Sequence, residues 1–208
     1  MSIDFNSLLQ GQLSDDLIEQ FSQQLGGVEK EKTATAATAI VSTLTAALAR
    51  NASKPEGAEA LANALERDHD GSVLDNIMDF IGGHKEPEPA QSKALDGMGI
   101  LNHLLGNKQN TAVSMISQLS GLGGEQTNSL MSMLAPVVMG ALGRQKRQQG
   151  LDVGGLVSLL SGGVSQSKSQ NPMLNMAMSF LDSDGDGSIM DDIGGMGVNL
   201  LKGFFGKK

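Results

Sequence analysis

Residues 29–50 read E-K-E-K-T-A-T-A-A-T-A-I-V-S-T-L-T-A-A-L-A-R. Apolar side chains fall at 37, 40, 41, 44, 47 and 48, the spacing of one helix face. The other face is small and polar, with Thr35, Thr38, Ser42 and Thr45. A helix that is uncharged from 33 to 49 and smooth all round can be packed from two sides, which places it in the centre of a bundle. Neighbouring signals are also helical. Ser14 followed by Asp15 and Asp16 caps a helix that Gly26-Gly27 ends. Ser53 and Pro55 open a helix over 55–66, and Ser72 opens another that stops at Gly82-Gly83. No stretch alternates as a half-buried strand does. The expectation is an all-α helical bundle without β-sheet.

The chain repeats itself. Residues 68–77 read D-H-D-G-S-V-L-D-N-I and residues 184–193 read D-G-D-G-S-I-M-D-D-I. The ending A-A-L-A-R at 46–50 returns as G-A-L-G-R at 140–144, and each is followed by a polar turn and a short helix, 55–66 or 151–161. Two traces of one order predict two related helical units, 1–83 and 95–208, joined by a charged, Pro-containing linker at 84–94. In the second unit a helix over 125–143 is expected to kink near Pro136. A Ser/Gln/Lys turn at 163–170, a helix opened by Asn171-Pro172 and a last helix at 188–205 complete it.

The acidic repeats carry the only recognisable chemistry. D-S-D-G-D-G-S-I at 182–189 matches the opening of an EF-hand loop. Calcium takes hard oxygens, and alternate Asp side chains on a tight turn converge on one point. Asp182, Asp184 and Asp186 would supply carboxylates and Ser188 its carbonyl. Asp191 or Asp192 would stand in for the distal Glu, whose position holds Ile193. The earlier copy offers Glu66, Asp68 and Asp70 in the same places. A metal-free reading also fits: S-x-x-D at 72–75 and 188–191 is a capping box, in which Ser caps a helix and the acid meets its positive end, and it is favoured for the first copy, which has fewer acids.

Composition excludes several classes. The 208 residues contain no Cys, Trp or Tyr, so no disulfide framework, thiolate zinc site or cysteine nucleophile is present, and base-stacking platforms are lacking. A net charge of −8 argues against nucleic acid, and residues 1–90 hold 15 of the 23 acidic side chains. His69, His84 and His103 have no metal-ligand spacing, and no nucleophile elbow, phosphate loop or small-molecule site stands out. No secretory signal opens the chain, and a cytoplasmic location is expected. The smooth faces of 33–49 and 126–143 call for cover, which predicts a homo-oligomer. The tail L-L-K-G-F-F-G-K-K at 200–208 can dock into the bundle or lie on a membrane surface, and docking is favoured.

The series S-x-Q-L-G-G, a small-residue helix ending A-L-A-R-N, and P-E-G-A-x-x-L-x-x-A-L-x-x-D-H-D-G-S-x-L-D resembles the bacterial domain-of-unknown-function family 937, the YidB-like proteins. The likeness covers 14–83 closely and 95–181 more loosely, and L-D-S-D-G-D-G-S-I-M-D-D-I-G-G resembles a C-terminal ending common in that family. It implies an all-helical fold, and it supplies no catalytic residues. The sequence therefore reads as a non-enzymatic, self-associating helical scaffold or interaction protein. Calcium is its candidate cofactor, at Asp182, Asp184, Asp186, Ser188, Asp191 and Asp192. The alternative is a peripheral membrane protein using its C-terminal helix.

Overall fold

Helix α3, Lys30–Ala52, lies at the centre, as its smooth surface requires. A computed structural model of the chain describes residues 5–86, 88, 91–167, 173, 176, 177, 179 and 181. Within α3, residues 39–48 are buried on every side. The polar ones tolerate this because their hydroxyls turn back on their own helix. Thr43 donates to the Ala39 carbonyl and Thr45 to that of Val41, each at 2.8 Å. The buried Ser42 hydroxyl finds no such partner.

Around α3 run α1 (Phe5–Gln12), α2 (Asp15–Gln24) and α4 (Pro55–Arg67). Ser14 caps α2 through the Leu17 amide, and Gly26 and Gly27, at φ +92° and +77°, end it. Pro55 takes the first position of α4, but Ser53 does not cap it. Its hydroxyl donates back to the Arg50 carbonyl instead. After α4 come a 3-10 turn, Ser72–Asn76, and the short α5, Ile77–Ile81. Residues 97–120, for which the patterning offers no expectation, form α6 (Gly97–Leu105), a 3-10 turn and α7 (Gln109–Ser120). Then follow α8 (Gly124–Gln149) and α9 (Val153–Ser167). The described residues contain helices and turns but no strand, so the fold is all-α.

Two boundaries differ from expectation. The second long helix does not end at G-A-L-G-R. R-Q-K-R-Q-Q consists of good helix formers and carries α8 on to Gln149, where Gly150 at φ +61° stops it. Residues 163–167 belong to α9 rather than to a turn. Pro136 sits inside α8 and cannot bond the Ser132 carbonyl. That carbonyl meets Gly97 instead, whose Cα approaches so closely that a Cβ would lie 2.6 Å from the carbonyl carbon.

Helices from both sides of 84–94 share one core, in which Leu44 and Leu48 join Leu101, Leu130, Leu134, Leu142 and Leu156. The smooth faces of α3 and α8 are thus covered within the chain, and the argument that they need an oligomer for cover falls away. The helix lengths 8, 10, 23 and 13 of α1–α4 are followed by 9, 12, 26 and 15 for α6–α9. The packing also crosses between the halves: α4 lies on α8 as well as on its neighbour α3, and α9 lies on α3, α4 and α1.

Candidate functional site

The first acidic turn follows α4, and the chain reverses there. Gly71, at φ +91°, supplies the left-handed residue. Asp70 Oδ1 accepts the Ser72 amide at 2.9 Å, closing an Asx turn. Gly71, not Ser72, is then the N-cap of the 3-10 turn, and no side chain caps it. The capping box expected at 72–75 is therefore absent, because Asp70 has taken the amide and Asp75 points elsewhere.

It points to α8. Arg144 Nη2 donates to Asp75 Oδ1 at 2.5 Å and to the Gly71 carbonyl at 2.9 Å. Arg147 Nη1 reaches Asp70 Oδ2 at 2.8 Å, and Lys146 Nζ reaches Glu66 Oε1 at 2.6 Å. Each anion of the turn thus meets its own cation. Asp68 lies 3.8 Å from Arg67, so the carboxylate oxygens diverge toward separate nitrogens instead of aiming at the one point a calcium ion needs. Among the described residues no group of three or more His, Asp or Glu converges on a metal position. The Asp70 carboxyl is held below its usual range, first by the Ser72 hydroxyl and amide, with Arg147 assisting and partial burial opposing.

Glycine makes the approach possible. Gly140 and Gly143 stand one helical turn apart on the α8 face that receives the acidic turn. A Cβ on Gly143 would overlap the His69 carbonyl oxygen and lie 2.9 Å from its carbon. A Cβ on Gly71 would lie 2.7 Å from Arg144 Cβ. Val73, 2% exposed, packs with Leu74 against Gly140. Individually such ion pairs at the surface contribute little, from about 0 to 1 kcal/mol. Together with three glycines they fix one geometry. His69 is buried beside them with its Nδ1 unpaired, and desolvation lowers its pKa against the pull of Asp68.

This pairing joins residues 66–75 to 140–147, and the bacterial family of unknown function DUF937 matches residues 7–145. The chain belongs to the DUF937 family. Both the acidic turn and its Gly-x-x-Gly-Arg receiver lie within the DUF937 match, which ends just after Arg144. The second acidic copy lies beyond it. No curated protein and no solved structure matches the chain.

A groove of about 980 Å³ opens beside the turn. Its floor is Leu48, Leu61, Ala64, Ile100, Leu104 and Met139, and its rim carries Lys54, Arg67 and Lys93 with Glu56, Asp68 and Asp96. Asp182, Asp184, Asp186, Ser188, Asp191 and Asp192 lie outside the described residues, as do the tail and the 188–205 helix. Arg144, Lys146 and Arg147 were missed as partners of the first turn. Their signal was the R-Q-K-R run directly after two glycines at helical spacing.

Proposed function

We propose that this chain is a non-enzymatic helical interaction protein that self-associates. The groove between α4 and α6 carries the reading. Its floor is apolar, and its rim holds three cations and three anions, so both signs rather than one. A twofold contact sets a surface against itself and so needs both signs on it. A second copy satisfies that demand, whereas a polyanion does not. The test is the mass in solution across micromolar concentrations. Ala60 is exposed and lines the groove, so Ala60→Arg leaves the helix intact while blocking it. The expected result is a concentration-dependent oligomer that the variant reduces to monomer. A wild-type chain that stays monomeric throughout overturns the reading.

We further propose that the chain is a duplicated unit and that its second acidic turn binds calcium weakly. The two readings are linked by a difference. At the offset that aligns A-A-L-A-R with G-A-L-G-R, Lys146 and Arg147 correspond to Ala52 and Ser53. For Asp182 and Asp186, counterparts of Glu66 and Asp70, the α3 sequence therefore offers no equivalents of the two cations that meet the first turn. A divalent ion would take that role, with Asp184, Ser188, Asp191 and Asp192 completing the ligands. Calcium should then raise the melting temperature, and Asp184→Asn with Asp186→Asn should remove the rise. An identical melt in millimolar calcium and in chelator removes this part of the proposal.

A further inference from the structure

We infer that the second acidic turn, residues 184–193, docks in the same chain on the C-terminal end of α3, with Arg50 in the role that Arg144 plays for the first turn. The inference rests on the duplicated-unit reading, but not on self-association or calcium.

Three observations converge on it. The crossover packing supplies the first. Helix α4 lies on α8, and the acidic turn that follows α4 is received by α8. Helix α9 lies on α3, so the acidic turn that comes after α9 in the chain finds the corresponding receiver on α3. The receiver is present in sequence: Ala46-Ala-Leu-Ala-Arg50 stands where Gly140-Ala-Leu-Gly-Arg144 stands in α8.

The second observation is the state of that receiver. Gly143 is buried and Arg144 half-buried beneath the first turn, whereas Ala49 is half-buried and Arg50 exposed. Among the described residues Arg144 has an ion pair and Arg50 has none. Ala46, the counterpart of Gly140, is already fully buried, so what the α3 end offers is Arg50 and the half-buried Ala49, without an anion on them. The segment proposed for it carries Asp184, Asp186, Asp191 and Asp192.

The third is where the described chain stops. Helix α7 runs antiparallel to α3: Gly121 at its far end lies against Lys32, while Asn51 at the end of α3 bonds the Leu104 carbonyl just ahead of it. Lys108, the residue before α7, therefore sits near the end of α3, and its Nζ donates to the Leu181 carbonyl at 3.0 Å. The second acidic segment begins at the next residue. It has only a few residues to travel, with no need to cross the molecule.

The first turn supplies the expected contacts. At its constant offset, Gly71 and Asp75 become Gly187 and Asp191. Arg50 would donate to the Gly187 carbonyl and to the Asp191 carboxylate. Ala46 and Ala49 hold methyls where α8 has hydrogens, so the second turn stands off by on the order of 1 Å, within reach of a flexible arginine.

The absence of native cysteine allows a direct test. Asp70 carbonyl carbon lies 3.3 Å from a Cβ placed on Gly143, so the counterpart pair is Ala49→Cys with Asp186→Cys. Mild oxidation of the full-length double variant should give an intramolecular disulfide, seen as a faster-migrating monomer on a non-reducing gel. Glu59→Cys with Asp186→Cys, on another helix, should not. Cross-linked dimers or uncross-linked chains from the 49/186 pair overturn the inference, the former assigning the turn to a second copy. A second measurement avoids cysteine. Arg50→Glu should speed amide exchange across 184–193 by on the order of tenfold, and Asp191→Arg in the same chain should restore protection. Unchanged exchange in Arg50→Glu also overturns it. Neither readout depends on oligomeric mass or on calcium, so those proposals stand or fall separately.

Discussion

Replacing Gly143 by alanine tests whether the acidic turn is held by close backbone approach. In an ordinary helix interior the change is favourable by about 1 kcal/mol, since alanine costs less chain entropy than glycine. Here the new methyl would overlap the His69 carbonyl oxygen and lie 2.9 Å from its carbon. Carbon pairs settle at about 3.5–4.0 Å, so the turn must retreat by on the order of 1 Å. Retreat stretches the Arg144 bond to the Gly71 carbonyl beyond its 2.9 Å and loosens Val73. Overpacking of this kind costs about 1–3 kcal/mol, and a lost hydrogen bond adds about 1 kcal/mol. The helix gain offsets part of that, leaving a net loss of about 1–3 kcal/mol. For a chain of this size the melting temperature should fall by about 2–12 °C, read by circular dichroism. Gly124 is the control. A Cβ there meets nothing nearer than Val113 Cγ1 at 4.0 Å, so Gly124→Ala should be neutral or stabilising. If Gly143→Ala is as stable as Gly124→Ala, the close-approach argument is wrong.

Other changes have defined outcomes. Leu44, 0% exposed, should cost about 2–5 kcal/mol on truncation to alanine, and a loss below about 1 kcal/mol in a denaturant melt would remove it from the core. Ser42→Ala deletes a buried hydroxyl without a partner and should stabilise the chain by roughly 1 kcal/mol; destabilisation would mean the hydroxyl is bonded in solution. His69 has a folded pKa lowered by desolvation. The unfolded chain therefore binds the proton first, and stability should fall as pH drops below the ordinary histidine value of about 6.5. In His69→Gln the loss of stability between pH 7 and 5 should be smaller, and an equal loss would refute the assignment. Asp70 is lowered as well, so its contribution is present above the ordinary carboxylate range and lost as pH falls through its folded value. Asp70→Asn should flatten the melt below pH 4, and an unaltered acid limb would show that the Ser72 and Arg147 contacts carry no weight.

The fold was legible where patterning acts locally. The spacing of Ile40, Leu44 and Leu48 announced α3, and Ser14, Gly26 and Gly27 bounded α2 because caps and left-handed glycines are properties of a few adjacent residues. Residues 97–120 gave no such warning. Gly97, Gly99 and Asn102 carry weak propensities, and α6 packs on α8 where Gly97 closely approaches the Ser132 carbonyl that Pro136 leaves free, a contact made across the molecule. The acidic turn failed for the same reason. D-x-D-G-S is ambiguous between a metal loop and a cap when read alone. What holds Asp75 is Arg144, 69 residues away, and no local rule connects them. The small-residue faces of α3 and α8, which read in sequence as calling for an oligomer, are covered by packing between the two halves.

The crossing also sets an order of events during synthesis. Glu66, Asp70 and Asp75 leave the ribosome well before Lys146, Arg147 and Arg144, which pair with them. With 69 residues between Asp75 and Arg144 and elongation at about 5–20 residues per second, the turn waits for roughly 3–14 s. Throughout that interval the N-terminal half is a strongly acidic nascent chain whose central helix has only α1, α2 and α4 against it. Its smooth face stays open until α6–α9 emerge. A chain stalled or cut before residue 140 would keep that face and those charges indefinitely, which makes such a fragment a natural substrate for chaperones and proteases.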